Sequence, residues 1–313
     1  MPLASEAAPA VRTEVDLGRG LRLKNRVLVA SGTFAYADTV GELVDVSRLG
    51  GVVTKAISLE PREGNPPPRI VEVPGGLLNA IGLANVGART FVRDKLPRLR
   101  QLDTAIVVNV VGFCVEDYVR LVRFLDEHEG IDAYEVNLSC PNVKEGGACF
   151  ADDPMMTRQV VRALRPVTDR HLMIKLSPNV ARIGQIARIC EEEGADSVSL
   201  INTLVGMAVD VRTRRPKLAN VTGGYSGPAI KPVALAKVWE AYRAVRIPII
   251  GIGGIMSAED ALEFLLVGAQ AVQVGTGTFV IPDLAVRIVE GMEAYARSEG
   301  LRDIGELVGA LRI

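Results

Sequence analysis

What most limits the folds open to this chain is an alternation. Eight short apolar segments, many of them β-branched, recur at residues 27–30, 52–56, 105–110, 133–138, 172–176, 197–201, 248–252 and 271–274. Each is followed by a stretch with helical character. Their apolarity is continuous, which suits strands buried on both faces of a parallel sheet. Amphipathic stretches such as 115–129, 180–193, 257–267 and 284–298 lie between them. Asn179 and Ser257 stand where helix caps belong, and Gly194 and Gly268 where helices end. A doubly wound open sheet permits the same alternation. Eight strand–helix units in one chain nonetheless predict an α/β fold of the (β/α)8 TIM-barrel type, with residues 1–313 as a single domain. Near the N-terminus, Gly18-Arg19-Gly20 between Val15-Asp16-Leu17 and Leu21-Arg22-Leu23 predicts a β-hairpin capping the barrel bottom. Residues 58–86 and 202–230 are too long for simple connections and are rich in Gly, Pro and Asn. They read as long active-site loops on the face where barrels do chemistry.

Composition removes several classes of function. Thirty-six basic against 37 acidic side chains leave a net charge of −1, which gives no support for nucleic-acid or anionic-membrane binding. Four cysteines without a Cys-x-x-Cys pair, and only two histidines, argue against a zinc or iron–sulfur site on this chain. No apolar run approaches the ~20 residues of a membrane helix. The first ten residues lack a basic segment followed by an apolar core, so a reduced cytoplasm is the expected location.

Polar residues fall where a barrel active site needs them. Lys55, Asn109, Asn137 and Lys175 close the second to fifth strands. Asn202-Thr203, Gly253-Gly254 and Gly275-Thr276-Gly277 follow the sixth, seventh and eighth. A lone lysine there is more often an ion-pair residue, and a lone asparagine more often fixes a turn. Seven successive strand ends of this kind are hard to ascribe to turns. The glycines after strands seven and eight allow backbone N–H groups to approach a phosphate, with a helix N-terminus behind each. Two lysines in one mouth suit the pyrimidine edge of a flavin, or else a Schiff base. Asn79, Asn137, Asn142 and Asn202 tilt the choice toward a planar imide with several donors and acceptors.

Within Glu135-Val136-Asn137-Leu138-Ser139-Cys140-Pro141-Asn142, a thiol stands among amides on a stiff turn at a strand end. A reference pKa of ~8.5 allows Cys140 to act as a base if the site assists. Gly146-Gly147 could hinge a lid, with Cys149 packing in it. Cys114 and Cys190 read as core residues, and His128 and His171 as helix-end or loop residues without a partner pattern.

Asn137-Leu138-Ser139-Cys140-Pro141-Asn142, Lys175-Leu176-Ser177-Pro178-Asn179 and Ile201-Asn202-Thr203-Leu204 resemble signature blocks of class 1 dihydroorotate dehydrogenases. So do the run from Thr222 to Pro232 and Ile249-Ile250-Gly251-Ile252-Gly253-Gly254-Ile255. The resemblance runs from about Asn25 to Pro282, and Val143-Lys144-Glu145-Gly146-Gly147 is similar to the catalytic subunit of subclass 1B. It implies an FMN-binding barrel, a flavoprotein oxidoreductase that converts (S)-dihydroorotate to orotate in pyrimidine biosynthesis. By the same resemblance, Cys140 takes the C5 proton while hydride leaves C6 for the flavin. Lys55 contacts both FMN and substrate. Asn79, Ala80, Ile81, Gly82, Leu83, Asn137, Asn202 and Thr203 hold orotate. Ser31, Ala56, Asn109, Asn137, Lys175, Ile201, Gly227, Gly253, Gly254, Gly275 and Thr276 hold FMN, the last four around its phosphate. Subclass 1B further implies a homodimer core within a heterotetramer, whose second subunit carries FAD and an iron–sulfur cluster and passes electrons to NAD. Subclass 1A members use fumarate without one. This chain departs from the pattern at Ala84 and Val86, at Tyr225 where leucine is usual, and at Arg26 where proline is common. The two last are expected to touch the partner interface or the substrate mouth. An FMN enzyme for a related dihydropyrimidine, or a Schiff-base lyase using Lys55 or Lys175, are the alternatives.

Overall fold

A computed structural model describes residues 11–38, 43–138 and 153–313. Its centre is a closed barrel of eight parallel strands: β3 (Val27–Val29), β4 (Gly51–Val53), β7 (Ala105–Val110), β8 (Ala133–Asn137), β9 (His171–Leu176), β10 (Ser197–Leu200), β15 (Ile249–Ile252) and β16 (Ala271–Val274). Each matches one of the eight apolar segments to within a residue or three. Closure runs through β16 pairing with β3, Val272 opposite Val27, so the open-sheet alternative is excluded. The outer layer comprises α1 (Ala88–Thr90) and α2 (Leu96–Leu99), joined by a π-helical turn, then α3 (Val115–Asp126), α4 (Pro154–Leu164), α5 (Ile183–Glu192), α6 (Lys231–Tyr242), α7 (Ala258–Leu266) and α8 (Leu284–Ser298). Ser257 caps α7 as expected. Asn179 does not cap α5, whose cap position is Arg182. Its side chain instead bonds Ser177 Oγ and the Thr203 carbonyl, bracing two loops of the mouth.

The barrel interior is layered. At the bottom, hairpin strands β1 (Val15–Asp16) and β2 (Arg22–Leu23) drive Leu17, Leu21 and Leu23 against Leu28, Val53, Val107, Ala133, Met173, Ile250 and Ala271. His171, expected to be bland, lies fully buried in β9, where its ring meets the Gly18 carbonyl (3.0 Å) and Ser197 Oγ (2.7 Å) and so seals the hairpin to the barrel. Arg26 is also at this end. It donates to the Gln270 carbonyl and pairs with Asp303, so it ties down the C-terminal turn and does not reach the mouth. Cys190 is buried core, whereas Cys114 is only half-buried, at the start of α3.

At the opposite end the two long loops form structure that the sequence did not predict. Strands β5 (Ile70–Val73) and β6 (Gly76–Asn79) come from the first loop. From the second come β11 (Leu204–Met207) and β14 (Thr222–Ser226), together with a small hairpin of β12 (Val209–Asp210) and β13 (Arg215–Pro216). The four longer strands make one antiparallel sheet in the order β11-β14-β6-β5, with Asn79 opposite Gly224. Tyr225 belongs to this sheet and donates to the Pro74 carbonyl at 2.7 Å.

Candidate active site

The C-terminal ends of the barrel strands and the small sheet enclose a cavity of about 660 Å³, a size that suits a cofactor-sized ligand. Ser31 follows β3, Lys55 and Ala56 follow β4, Asn137 ends β8 and Lys175 lies on β9; all line the cavity. So do Ile201, Asn202 and Thr203 after β10, Gly227 after β14, Gly253 and Gly254 after β15, and Gly275 and Thr276 after β16. The loop formed by Asn79, Ala80, Ile81, Gly82 and Leu83 closes the wall above. Asn109 stands behind the others. It is fully buried in the barrel and donates to Glu135 at 2.6 Å. Cys140, Asn142 and Cys149, with the Gly146-Gly147 hinge, lie outside the described residues.

The two ends of the cavity differ in chemistry. At one, Gly253 (φ +130°) and Gly254 (φ +74°) adopt backbone angles that disfavour side chains, and a Cβ on Gly254 would come within 2.7 Å of the Lys231 nitrogen. Thr276 Oγ and Ser226 Oγ bond one another there at 2.8 Å. Helix α7 lines the cavity with none of its own residues. It begins at Ala258 under its own Ser257 cap, with Glu259 and Asp260 in its first turn, and the glycine turn itself meets the cavity.

At the other end stand the amides and lysines. Asn202 Nδ2 lies 3.3 Å from Asn137 Oδ1, and Asn79 Nδ2 donates weakly to the Gly224 carbonyl at 3.4 Å. Tyr118 from α3 donates to the Asn137 carbonyl at 2.8 Å, fixing that strand end. Asn65 supports the 79–83 loop through the Ala80 carbonyl, and Asn85 does so by donating to the Leu83 carbonyl at 2.8 Å, itself held by Ser58 Oγ and the Gly87 N–H, despite Ala84 and Val86 beside it. Burial, with the like charge of Arg69 added, holds the Lys55 amine below the usual lysine range. Lys175 differs: its Nζ lies 3.6 Å from the buried Glu135 carboxylate.

Several lining residues escaped sequence reading. Arg62 lies over the Phe113 ring at 4.4 Å, and both face the cavity. Nothing local marks them, because they sit in loops joined only by the fold. Glu135 was masked by its apolar neighbours, although a charge inside a buried strand is itself a signal.

Comparison with known proteins agrees with this geometry. The family model described as dihydroorotate dehydrogenase matches residues 16–295. The chain belongs to the dihydroorotate dehydrogenase family. It is 54% identical over 303 residues to the dihydroorotate dehydrogenase B (NAD+) catalytic subunit of Trichlorobacter lovleyi, covering 97% of this chain and 99% of that one. The protein of the same description from Geotalea uraniireducens is 52% identical, covering 93% and 96%. A putative dihydroorotate dehydrogenase A (fumarate) from Solibacter usitatus is 53% identical, covering 94% and 96%. No helix among the described residues is long and apolar enough to cross a membrane.

Proposed function

We propose that this chain is the catalytic subunit of an NAD-linked dihydroorotate dehydrogenase, converting (S)-dihydroorotate to orotate in pyrimidine biosynthesis with FMN as its bound cofactor. One observation carries the reading: a single cavity draws glycines from the ends of β15 and β16, and amides and lysines from the ends of β4, β8, β9 and β10. Membership of the family and the descriptions of the Trichlorobacter and Geotalea relatives support it. The residues present fit FMN. Gly253, Gly254, Gly275 and Thr276 leave backbone accessible for a phosphate, and Gly227 and Ser31 line the same space. Ala56, Ile201 and Lys175 offer an apolar wall and a cation to a flat ring, with Asn109 behind. When bound, FMN supplies the two-electron acceptor for the hydride lost from C6.

The chain's own residues do the remainder. Lys55 provides a cation for the substrate carboxylate, while Asn79, Asn137, Asn202, Thr203 and the backbone of residues 80–83 orient the ring. The Cys140 thiolate takes the C5 proton, so that C5 and C6 become doubly bonded. The relatives' description as a catalytic subunit linked to NAD supports a partner subunit here; FAD and an iron–sulfur cluster are assigned to it by resemblance to subclass 1B.

Anaerobic mixing tests this. Dihydroorotate should bleach the yellow protein and dihydrouracil should not. A colourless protein releasing no flavin on denaturation would sink the reading in favour of lysine chemistry. Cys140→Ser should slow flavin reduction by roughly 10²-fold or more, the scale of general-base catalysis; a change of only a few-fold removes Cys140 as the base. Co-purification from the native source should bring down a second polypeptide with FAD and iron–sulfur absorbance.

A further inference from the structure

Beneath the cavity lies a charged group that the reaction scheme does not use. Glu135 is fully buried inside the barrel and does not line the cavity. Its carboxylate is held from four strands. Oε1 accepts from Ser199 Oγ on β10 and from Gln273 Nε2 on β16, both at 2.8 Å. Oε2 accepts from Asn109 Nδ2 on β7 at 2.6 Å and faces Lys175 Nζ on β9 at 3.6 Å.

This arrangement costs stability. Asn109 Oδ1 and Gln273 Oε1 are buried without hydrogen-bond partners among the described residues, because both amides turn their NH2 groups to the carboxylate. The layer just below packs the apolar side chains of Leu28, Val107, Met173 and Ile250 together. A buried ion pair is seldom a net gain over apolar packing. What distinguishes this one is that Lys175, with its side chain 8% exposed, is both Glu135's partner and part of the cavity wall.

We propose that Glu135 is a positioning residue that fixes the Lys175 ammonium at the cavity floor, so that the charge offered to the flavin ring is set by a carboxylate outside the cavity. The inference rests on the FMN reading above. Without Glu135, the Lys175 ammonium lacks its countercharge and the carboxylate that fixes its place. An electron-rich reduced ring then loses stabilisation relative to the oxidised one.

The test compares the wild-type holoprotein with Glu135→Gln, Lys175→Gln and the double variant. Measured are FMN affinity by fluorescence, the two-electron midpoint potential by anaerobic dye titration, and thermal unfolding. In Glu135→Gln the preference for reduced over oxidised FMN should fall about tenfold, a drop of about 30 mV for a two-electron couple. Lys175→Gln should fall at least as far, and the double variant should show no second drop. An unchanged or raised potential in Glu135→Gln, or drops that add, overturns the inference. Should Glu135→Gln fail to fold, Ser199→Ala and Gln273→Leu each remove one anchor and keep the charge. Both should lower the potential by a smaller amount, and unchanged potentials in both overturn the inference. A wild-type protein that binds no FMN defeats the cofactor reading and this inference with it. FMN bound by both proteins, with the midpoint potential of Glu135→Gln equal to that of wild type, defeats the inference alone.

Discussion

Two lysines share one mouth, and their surroundings give them different tasks. Lys175 has a carboxylate beneath it, whereas Lys55 is half-buried with Arg69 as a like-charged neighbour. The ammonium of Lys55 is therefore a cost to the fold. With its folded pKa below the ordinary value, stability rises with pH between the two, and the penalty stands at neutral pH. Lys55→Met should raise the unfolding temperature of the ligand-free protein. The same change should weaken orotate binding about 10- to 100-fold, the scale of a charge-assisted hydrogen bond of about 1.5–3 kcal/mol. Calorimetry on one sample set reads both; a variant that is neither more stable nor weaker in binding removes Lys55 from the substrate site. Both lysines were legible in the sequence because each breaks an apolar strand at its end. Glu135 was not, since its meaning depends on Ser199 and Gln273, 64 and 138 residues away.

Among the elements, the turn after β15 and the start of α7 are neighbours with separable roles. Gly254→Ala forces a side chain onto a positive-φ residue and against the Lys231 backbone. That should cost about 1–3 kcal/mol and also abolish tight FMN binding, because the turn lines the cavity. Ser257→Ala removes only the hydroxyl that accepts the Asp260 N–H at 3.1 Å. It should cost about 1 kcal/mol and leave FMN affinity within about twofold. Equal loss of FMN affinity in both would make the helix N-terminus part of the anion site. The barrel strands were readable because each is buried on both faces and so apolar throughout. The small sheet was not. Ile70–Val73 alternates exposed with half-buried residues, Thr222–Ser226 carries two glycines, and the two halves of the sheet meet only where β14 pairs with β6 across about 150 residues.

At the scale of the whole molecule, chemistry is gathered at one end of the barrel and the fastenings at the other. Arg19 and Arg165 meet Asp196, while Arg12 and Arg26 meet Asp303, tying hairpin, barrel and C-terminal turn together. Burial pushes both carboxyls up, but their N–H and arginine partners outweigh it and hold them below the usual carboxylate range. Their contribution is complete above the unfolded value and is lost as pH falls through the folded one, at or below about pH 4. His171 opens an earlier window. Burial pushes its imidazole down, outweighing the pull of the Gly18 carbonyl and Asp196. Between the folded value and about 6.5 the unfolded chain binds the extra proton, so stability rises with pH there and falls as acid is added. Acid should therefore loosen this protein in two stages, first below about pH 6.5 and again below about pH 4. His171→Gln should unfold at a lower temperature than wild type at pH 8, because its packing and its bond to Ser197 are lost. It should also show no slope between pH 6.5 and 5, while keeping the second decline. Unfolding temperatures measured from pH 8 to pH 3 decide this: a wild-type slope retained in His171→Gln between pH 6.5 and 5 assigns the first stage to another group.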